Sequence, residues 1–305
     1  MTKLFTKKRI LFIALLIFAA AVVYFGAANF DYIEQLPIGC GYKAKIMGSG
    51  YFISGREPER IEKNDLSFDP AFSLFKTKID QEQQHSTASF FGLVNARAVY
   101  REGLGCILLS GRDSESIYSW PVDIPKPRPV NPEEVPWPYG DKIDVEPDPS
   151  AIDRAALDRA LEQAFSEPNP DKPRRTRAVV VVYKGRLTAE KYAPGIDRDM
   201  PLIGWSMTKS ITGAMAGRLV MEGLMNLDGP TGIQEWEGDE RRSITLRHIL
   251  HMSSGLDWYE NYFTISDATV MLMQSDDMFA SVVDNALAYE PGSTWNYSSG
   301  DANLL

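Results

Sequence analysis

Apolar and polar positions divide the chain into four stretches. The first is an uncharged apolar run from Ile10 to Ala28, preceded by Lys3, Lys7, Lys8 and Arg9. At about 1.5 Å per residue such a helix nearly spans a bilayer core of about 30 Å. Residues 1–28 therefore read as a membrane-entering segment with its basic cluster left in the cytoplasm. Its length exceeds the usual signal core and favours an uncleaved anchor, while Gly26-Ala27-Ala28 offers a cleavage site and hence secretion as the alternative. The second stretch, 29–120, mixes short apolar runs with turn glycines. Tyr51-Phe52-Ile53, Phe90-Phe91-Gly92-Leu93-Val94 and Cys106-Ile107-Leu108-Leu109 are read as strands of a β-rich lead-in region. The third, 121–149, is crowded with prolines, which removes backbone donors and fixes φ, and reads as an extended connector.

The fourth stretch, 150–305, changes period. Ser150 reads as a helix cap with Asp153 three residues on, followed by an apolar face of Ile152, Ala156, Leu157, Ala160, Leu161 and Phe165. Ala178 to Tyr183, then Lys184-Gly185, then Leu187 to Tyr192 predicts a hairpin, with the first strand apolar enough to be central in a sheet. A helix after Ser206, apolar nearly all round through Met221, is expected to be buried, and further helical patterns fall at 245–252 and 278–287. The class is α+β.

Composition narrows the function. With 305 residues, 44% hydrophobic and 24% charged, the chain can bury a sizeable core. A formal net charge of −9 argues against a nucleic-acid partner. Three histidines and two cysteines without metal-ligand spacing predict no metal site. Outside the cytoplasm Cys40 and Cys106 can form a disulfide, with two unpaired buried thiols as the alternative.

Ser206-Met207-Thr208-Lys209 has the form S-x-x-K, and helical spacing puts Lys209 one turn from Ser206 on the same face, where an amine can take the hydroxyl proton. A lysine is a weak base at neutral pH unless desolvation or a nearby cation lowers its pKa, so burial of this helix matters. Ser73-Leu74-Phe75-Lys76 has the same form but leads into a polar stretch. The alternative for Ser206 is an ordinary helix cap with Lys209 reaching solvent. Beyond it, Pro291-Gly292 introduces Tyr297-Ser298-Ser299, a Y-x-S pattern whose phenol can share the proton with Lys209; Tyr259-Glu260-Asn261 is a competing Y-x-N form without the Pro-Gly approach.

Taken together, these residues resemble the class C β-lactamase-like family of serine hydrolases, over Ser150 to Leu305 and including Ile244 to Leu256. The lead-in around Ser54-Gly55-Arg56 and Tyr100 to Cys106 is similar to exported members near the 6-aminohexanoate-dimer hydrolases. The resemblance implies an antiparallel sheet flanked by helices with a helical subdomain. It implies Ser206, Lys209 and Tyr297 as catalytic, and Tyr262 and Ser299 as substrate-binding, with Tyr262 closing over a substrate amide. It further implies no cofactor and a small amide, ester or peptide substrate. His248 and His251 become helix residues near the site. A third motif, a strand with Lys or His, Thr or Ser, and Gly, is expected well beyond Tyr297, whereas the sequence ends at Leu305; the expectation is a domain incomplete at its C-terminus and weak or inactive as a hydrolase. A non-catalytic binding module of the same fold is the other reading. The expected location is an inner-membrane anchor with the domain on the periplasmic or extracellular side.

Overall fold

A computed structural model of the protein describes residues 30–111, 113–123, 131–143 and 149–305. The apolar run at 10–28 lies outside these residues, and among the described residues no helix is long and apolar enough to cross a membrane.

The lead-in region is one long helix on a four-stranded sheet. Helix α1, Phe30–Gly48, continues through a wider turn at Ser49–Ile53, so Tyr51-Phe52-Ile53 is helical and not a strand. Packing overrides the β propensity of that tripeptide: a Cβ on Gly48 would stand 2.7 Å from Ser86 Oγ, so glycine lets the helix end lie directly on the sheet. A one-turn helix, α2 (Pro58–Ile61), follows. Strands β1 (Phe75–Asp80), β2 (His85–Phe90), β3 (Val94–Arg101) and β4 (Gly105–Leu108) pair antiparallel in sequence order. The run Phe90 to Val94 is thus not one strand, because Phe91 and Gly92 take positive φ and reverse the chain between β2 and β3. Lys43 is buried on α1, where its ammonium donates to the carbonyls of Phe72 (2.9 Å) and Phe75 (2.6 Å) and pairs with Glu62 at 2.9 Å. Those partners meet the requirement that a buried charge be compensated. Cys40 and Cys106 are separate buried thiols and form no disulfide. Burial pushes the Cys106 thiol up to about 11, against the opposing effect of Lys45.

Helix α3 is Ser114–Ser119, and the described part of the connector contains only a short 3₁₀ turn at Pro132–Glu134 and a bridge from Pro136 to Lys142. The cap of helix α4, Arg154–Phe165, is Asp153 and not Ser150: the Asp153 carboxylate accepts from Ala156 N at 2.9 Å. Strands β5 (Ala178–Tyr183) and β6 (Arg186–Tyr192) form a hairpin through Lys184 and Gly185, both at positive φ. That turn matches the right-handed twist of the strands. The hairpin stands as a two-stranded sheet, so β5 is not central among the described residues; Val180 is 52% exposed.

Helix α5, Met207–Met221, also departs from expectation. Only Ala216 on it is buried, while Ile211 is 62% and Met215 63% exposed. A helix apolar on every side needs cover on every side, and the described residues cover one. The later helices α6 (Leu246–Leu250), α7 (Asp267–Gln274), α8 (Ala280–Val283) and α9 (Ser299–Asn303) are short, and the helical pattern at 278–287 reduces to α8. They enclose a core of Trp236, Ile244, Ile249, Leu256, Trp258, Ala268, Met271, Val282 and Val283. Trp236 lies wholly inside with its indole N–H donating to Val283 O at 2.8 Å, which removes the cost of burying that donor.

Candidate active site

The two S-x-x-K sequences have different fates. Ser73 lies in a 3₁₀ turn and donates to Pro70 O at 2.7 Å, whereas Lys76 is in β1; a turn-to-strand boundary separates them. Ser206 and Lys209 share the first turn of α5. Ser206 occupies the cap position, yet its side chain makes no capping bond. Its hydroxyl instead accepts from Lys209 Nζ at 3.2 Å. The preceding residue, Trp205, is held at φ 44, an unfavourable region for a bulky side chain. Met207 N closes the turn onto Gly204 O at 3.0 Å, and Trp205 stacks on Tyr42 of α1 at 5.9 Å and 8°. Ser54 Oγ donates to Pro201 O at 2.6 Å. The lead-in region therefore braces the loop that presents Ser206.

Tyr297 and Ser299 reach the same place from the other end of the domain. Gly292, at φ 82, donates to Ser253 O at 2.8 Å, and Asn296 N donates to Met252 O at 2.8 Å. Asn296 Nδ2 adds a bond to Trp258 O at 2.9 Å. The segment 291–298 is thereby fixed against 252–258. Gly300 completes the approach: a Cβ there would meet the Trp258 ring at 2.8 Å, so only glycine lets α9 start where it does. Ser299 is buried, and its hydroxyl accepts from Lys209 Nζ at 2.9 Å. The ammonium also lies 5.3 Å from the centroid of the Tyr297 ring, within range of a cation–π attraction.

Tyr262 and Ser299 approach each other at 3.4 Å, and a residue that the sequence reading left without a role joins them. Glu260 Oε1 accepts from Ser299 Oγ at 2.7 Å and from the Tyr262 hydroxyl. Its Oε2 accepts from Ser299 N at 2.6 Å and from the Trp258 indole at 2.7 Å. Burial pushes the Glu260 carboxyl up, but the bonds from Tyr262, Ser299 and Trp258 outweigh it, and the net shift is downward. Burial, then Glu260, pushes the Tyr262 phenol up to about 12. Because Ser299 gives its one hydroxyl proton to Glu260, its lone pairs face Lys209. The structure thus brings Ser206, Lys209, Tyr297, Ser299 and Tyr262 into one cluster and adds Glu260.

Other candidates fall elsewhere. His248 completes a capping box on α6, its Nδ1 accepting from Thr245 N at 3.2 Å, and Tyr259 is 53% exposed with its hydroxyl accepting from Asn261. Among the described residues no group of three or more His, Cys, Asp or Glu is placed to hold a metal ion.

A "Beta-lactamase" family model matches residues 159–305. No curated protein matches the chain by sequence. Among solved structures the chain is similar to a putative 6-aminohexanoate-dimer hydrolase from Bacillus anthracis, at 21% identity and a TM-score of 0.38, over 48% of this chain and 40% of that one. The alignment thus spans less than half of that protein's length. Every residue of the cluster falls inside the segment 159–305, an α+β stretch that is similar to the β-lactamase family.

Proposed function

We propose that this domain is an acyl-transfer hydrolase for small amides, esters or peptides, with Ser206 as its nucleophile. The observation that carries the reading is the position of Lys209 Nζ, 3.2 Å from Ser206 Oγ and 2.9 Å from Ser299 Oγ, beside the Tyr297 ring. As Ser206 Oγ attacks the carbonyl carbon, its proton passes to the Lys209 amine. Tyr297, against that amine, returns the proton to the departing nitrogen or oxygen. Water then cleaves the acyl-serine ester and restores the Ser206 hydroxyl. Ser299, oriented by Glu260, holds Lys209 on line, and Tyr262 stands beside Ser299, 54% exposed, where it can close over a bound amide.

Helix α5 is exposed over most of its surface, contrary to the expectation from the sequence that it is buried. Ser206, Ser299 and the Tyr297 ring position Lys209. Covalent labelling of the full chain with a fluorophosphonate, followed by peptide mass spectrometry, tests the proposal. The adduct should sit on Ser206, disappear in Ser206→Ala and persist in Ser73→Ala; a folded protein that takes no label at Ser206 overturns it. We also propose that the run at 10–28 anchors the chain with this domain on the periplasmic or extracellular face, on the strength of its length and its basic flank.

A further inference from the structure

A cavity of about 270 Å³ lies between α1 and the loop that leads into Ser206. Its wall carries Arg56, Arg174, Arg175 and Arg177 against one carboxylate, Asp65, in a chain whose formal net charge is −9. Asp65 is shared, with Arg56 Nη2 at 2.6 Å from one oxygen and Arg177 Nη2 at 2.6 Å from the other. Arg56 is buried, at 8% exposure. One carboxylate between two guanidinium groups leaves a positive excess even before the other pair is considered.

Arg174 and Arg175 sit on a turn that is held from outside. Their backbone N–H groups donate to the two oxygens of Glu167, at 2.6 and 2.7 Å, and Arg175 takes φ 53. Arg174 Nη1 donates to Gln163 O at 2.5 Å and to Ser166 Oγ at 3.4 Å, and Arg175 Nη2 to Ser67 Oγ at 2.8 Å. Those side-chain acceptors are neutral; with Glu167 counted beside Asp65, four guanidinium groups stand against two carboxylates, and the excess stays positive. Each guanidinium has five N–H donors, and the forked geometry suits the paired oxygens of a carboxylate or phosphate. The opposite wall is apolar, formed by Leu202, Ile203 and the Trp205 ring that rests on Tyr42.

We propose that this cavity binds a small oxyanion, a phosphate or carboxylate group, with the arginines on its oxygens and any attached apolar body against Leu202, Ile203 and Trp205. The charge excess selects an anion, and the partly buried setting strengthens each contact relative to open water. The site lies apart from the Lys209–Ser299–Glu260 cluster. It nevertheless shares a wall with the turn that presents Ser206, through Trp205 at φ 44.

Isothermal titration of the full chain in a phosphate-free buffer at low ionic strength tests the site, with inorganic phosphate in one arm and acetate in the other. Saturable one-to-one binding is expected in at least one arm, and the arm that binds more tightly assigns the anion. Arg175→Gln and, separately, Arg174→Gln should each weaken it by about tenfold, the effect of losing one charged hydrogen-bonding group. Arg198→Gln, which removes an arginine paired with Asp141 away from the cavity, should bind as the parent does. Circular dichroism confirms that each variant is folded, and either cavity variant suffices. Absence of saturable binding in both arms, parent-like affinity in a folded cavity variant, or an equal loss in Arg198→Gln overturns the proposal.

Discussion

Asp301 is 1% exposed, two residues beyond Ser299, and its two oxygens are treated unequally. Oδ1 accepts from Ser254 Oγ at 2.7 Å, whereas Oδ2 is buried with no hydrogen-bond partner. Burial raises the carboxyl to about 6 against the opposing bond from Ser254. An unfolded aspartate titrates near 3.9. Between these values the native state binds more protons than the unfolded state, so the sign is fixed: stability is greatest below about 4 and is lost as pH rises through about 6. A shift of roughly 2 units corresponds to about 3 kcal/mol of penalty at pH 7.5. Asp301→Asn keeps the shape and the acceptor for Ser254 while removing the charge. The variant should therefore be more stable than the parent by up to about 3 kcal/mol at pH 7.5, and by less than about 1 kcal/mol at pH 4. Guanidinium unfolding followed by tryptophan fluorescence reports the change, since Trp236 and Trp258 lie in the adjacent core. Equal stability at pH 7.5, or a gap that is as wide at pH 4, would refute the buried, charged state assigned to Asp301 at neutral pH.

Other consequences follow from the cluster and its supports. Lys209→Met should slow fluorophosphonate labelling of Ser206 by about 10² or more, since the proposed proton acceptor is removed, and stopped-time labelling measures it. Glu260→Gln breaks a carboxylate that accepts from Ser299, Tyr262 and Trp258; it should slow labelling by about tenfold to a hundredfold and change its pH profile, which a merely structural role would leave in place. Gly300→Ala forces a methyl to within 2.8 Å of the Trp258 ring and should destabilise the domain by about 1–3 kcal/mol, read as a lower denaturation midpoint. For the segment at 10–28, protease added to intact spheroplasts should digest the domain, and full protection would defeat the proposed topology.

The elements that the sequence disclosed are those in which local chemistry and packing agree. Lys184-Gly185 supplies the two positive φ values of a tight hairpin, and the strand before it is apolar and β-branched, so the hairpin at 178–192 was visible in the sequence. The meeting of Ser206, Lys209 and Tyr297 was legible because the S-x-x-K spacing sets the serine and lysine one helical turn apart and because Pro291-Gly292 forces a turn ahead of the tyrosine. Where packing decides, the sequence misled. Tyr51-Phe52-Ile53 has strand-forming residues, yet Gly48 and Gly50 permit contact with Ser86 and Ile61 that only a helix makes. Helix α5 shows the same limit from the other side: an all-round apolar pattern states what a helix needs, not what lies beside it.

Glu260 is the instructive omission. A charged residue in a polar, aromatic loop reads as solvated, and its backbone partner Ser299 lies 39 residues away. A signal was nonetheless present in Trp258, Glu260 and Tyr262, spaced by two, which on extended chain project to one side. Trp258 brings an indole N–H, Tyr262 a phenol, and a carboxylate between them accepts from both. Alternation of donors around one acceptor is the polar counterpart of an amphipathic strand. It marks a carboxylate that is consumed by orientation, and here what it orients is the serine hydroxyl beneath Lys209. That makes Glu260 a positioning residue whose loss should misplace the amine without removing it.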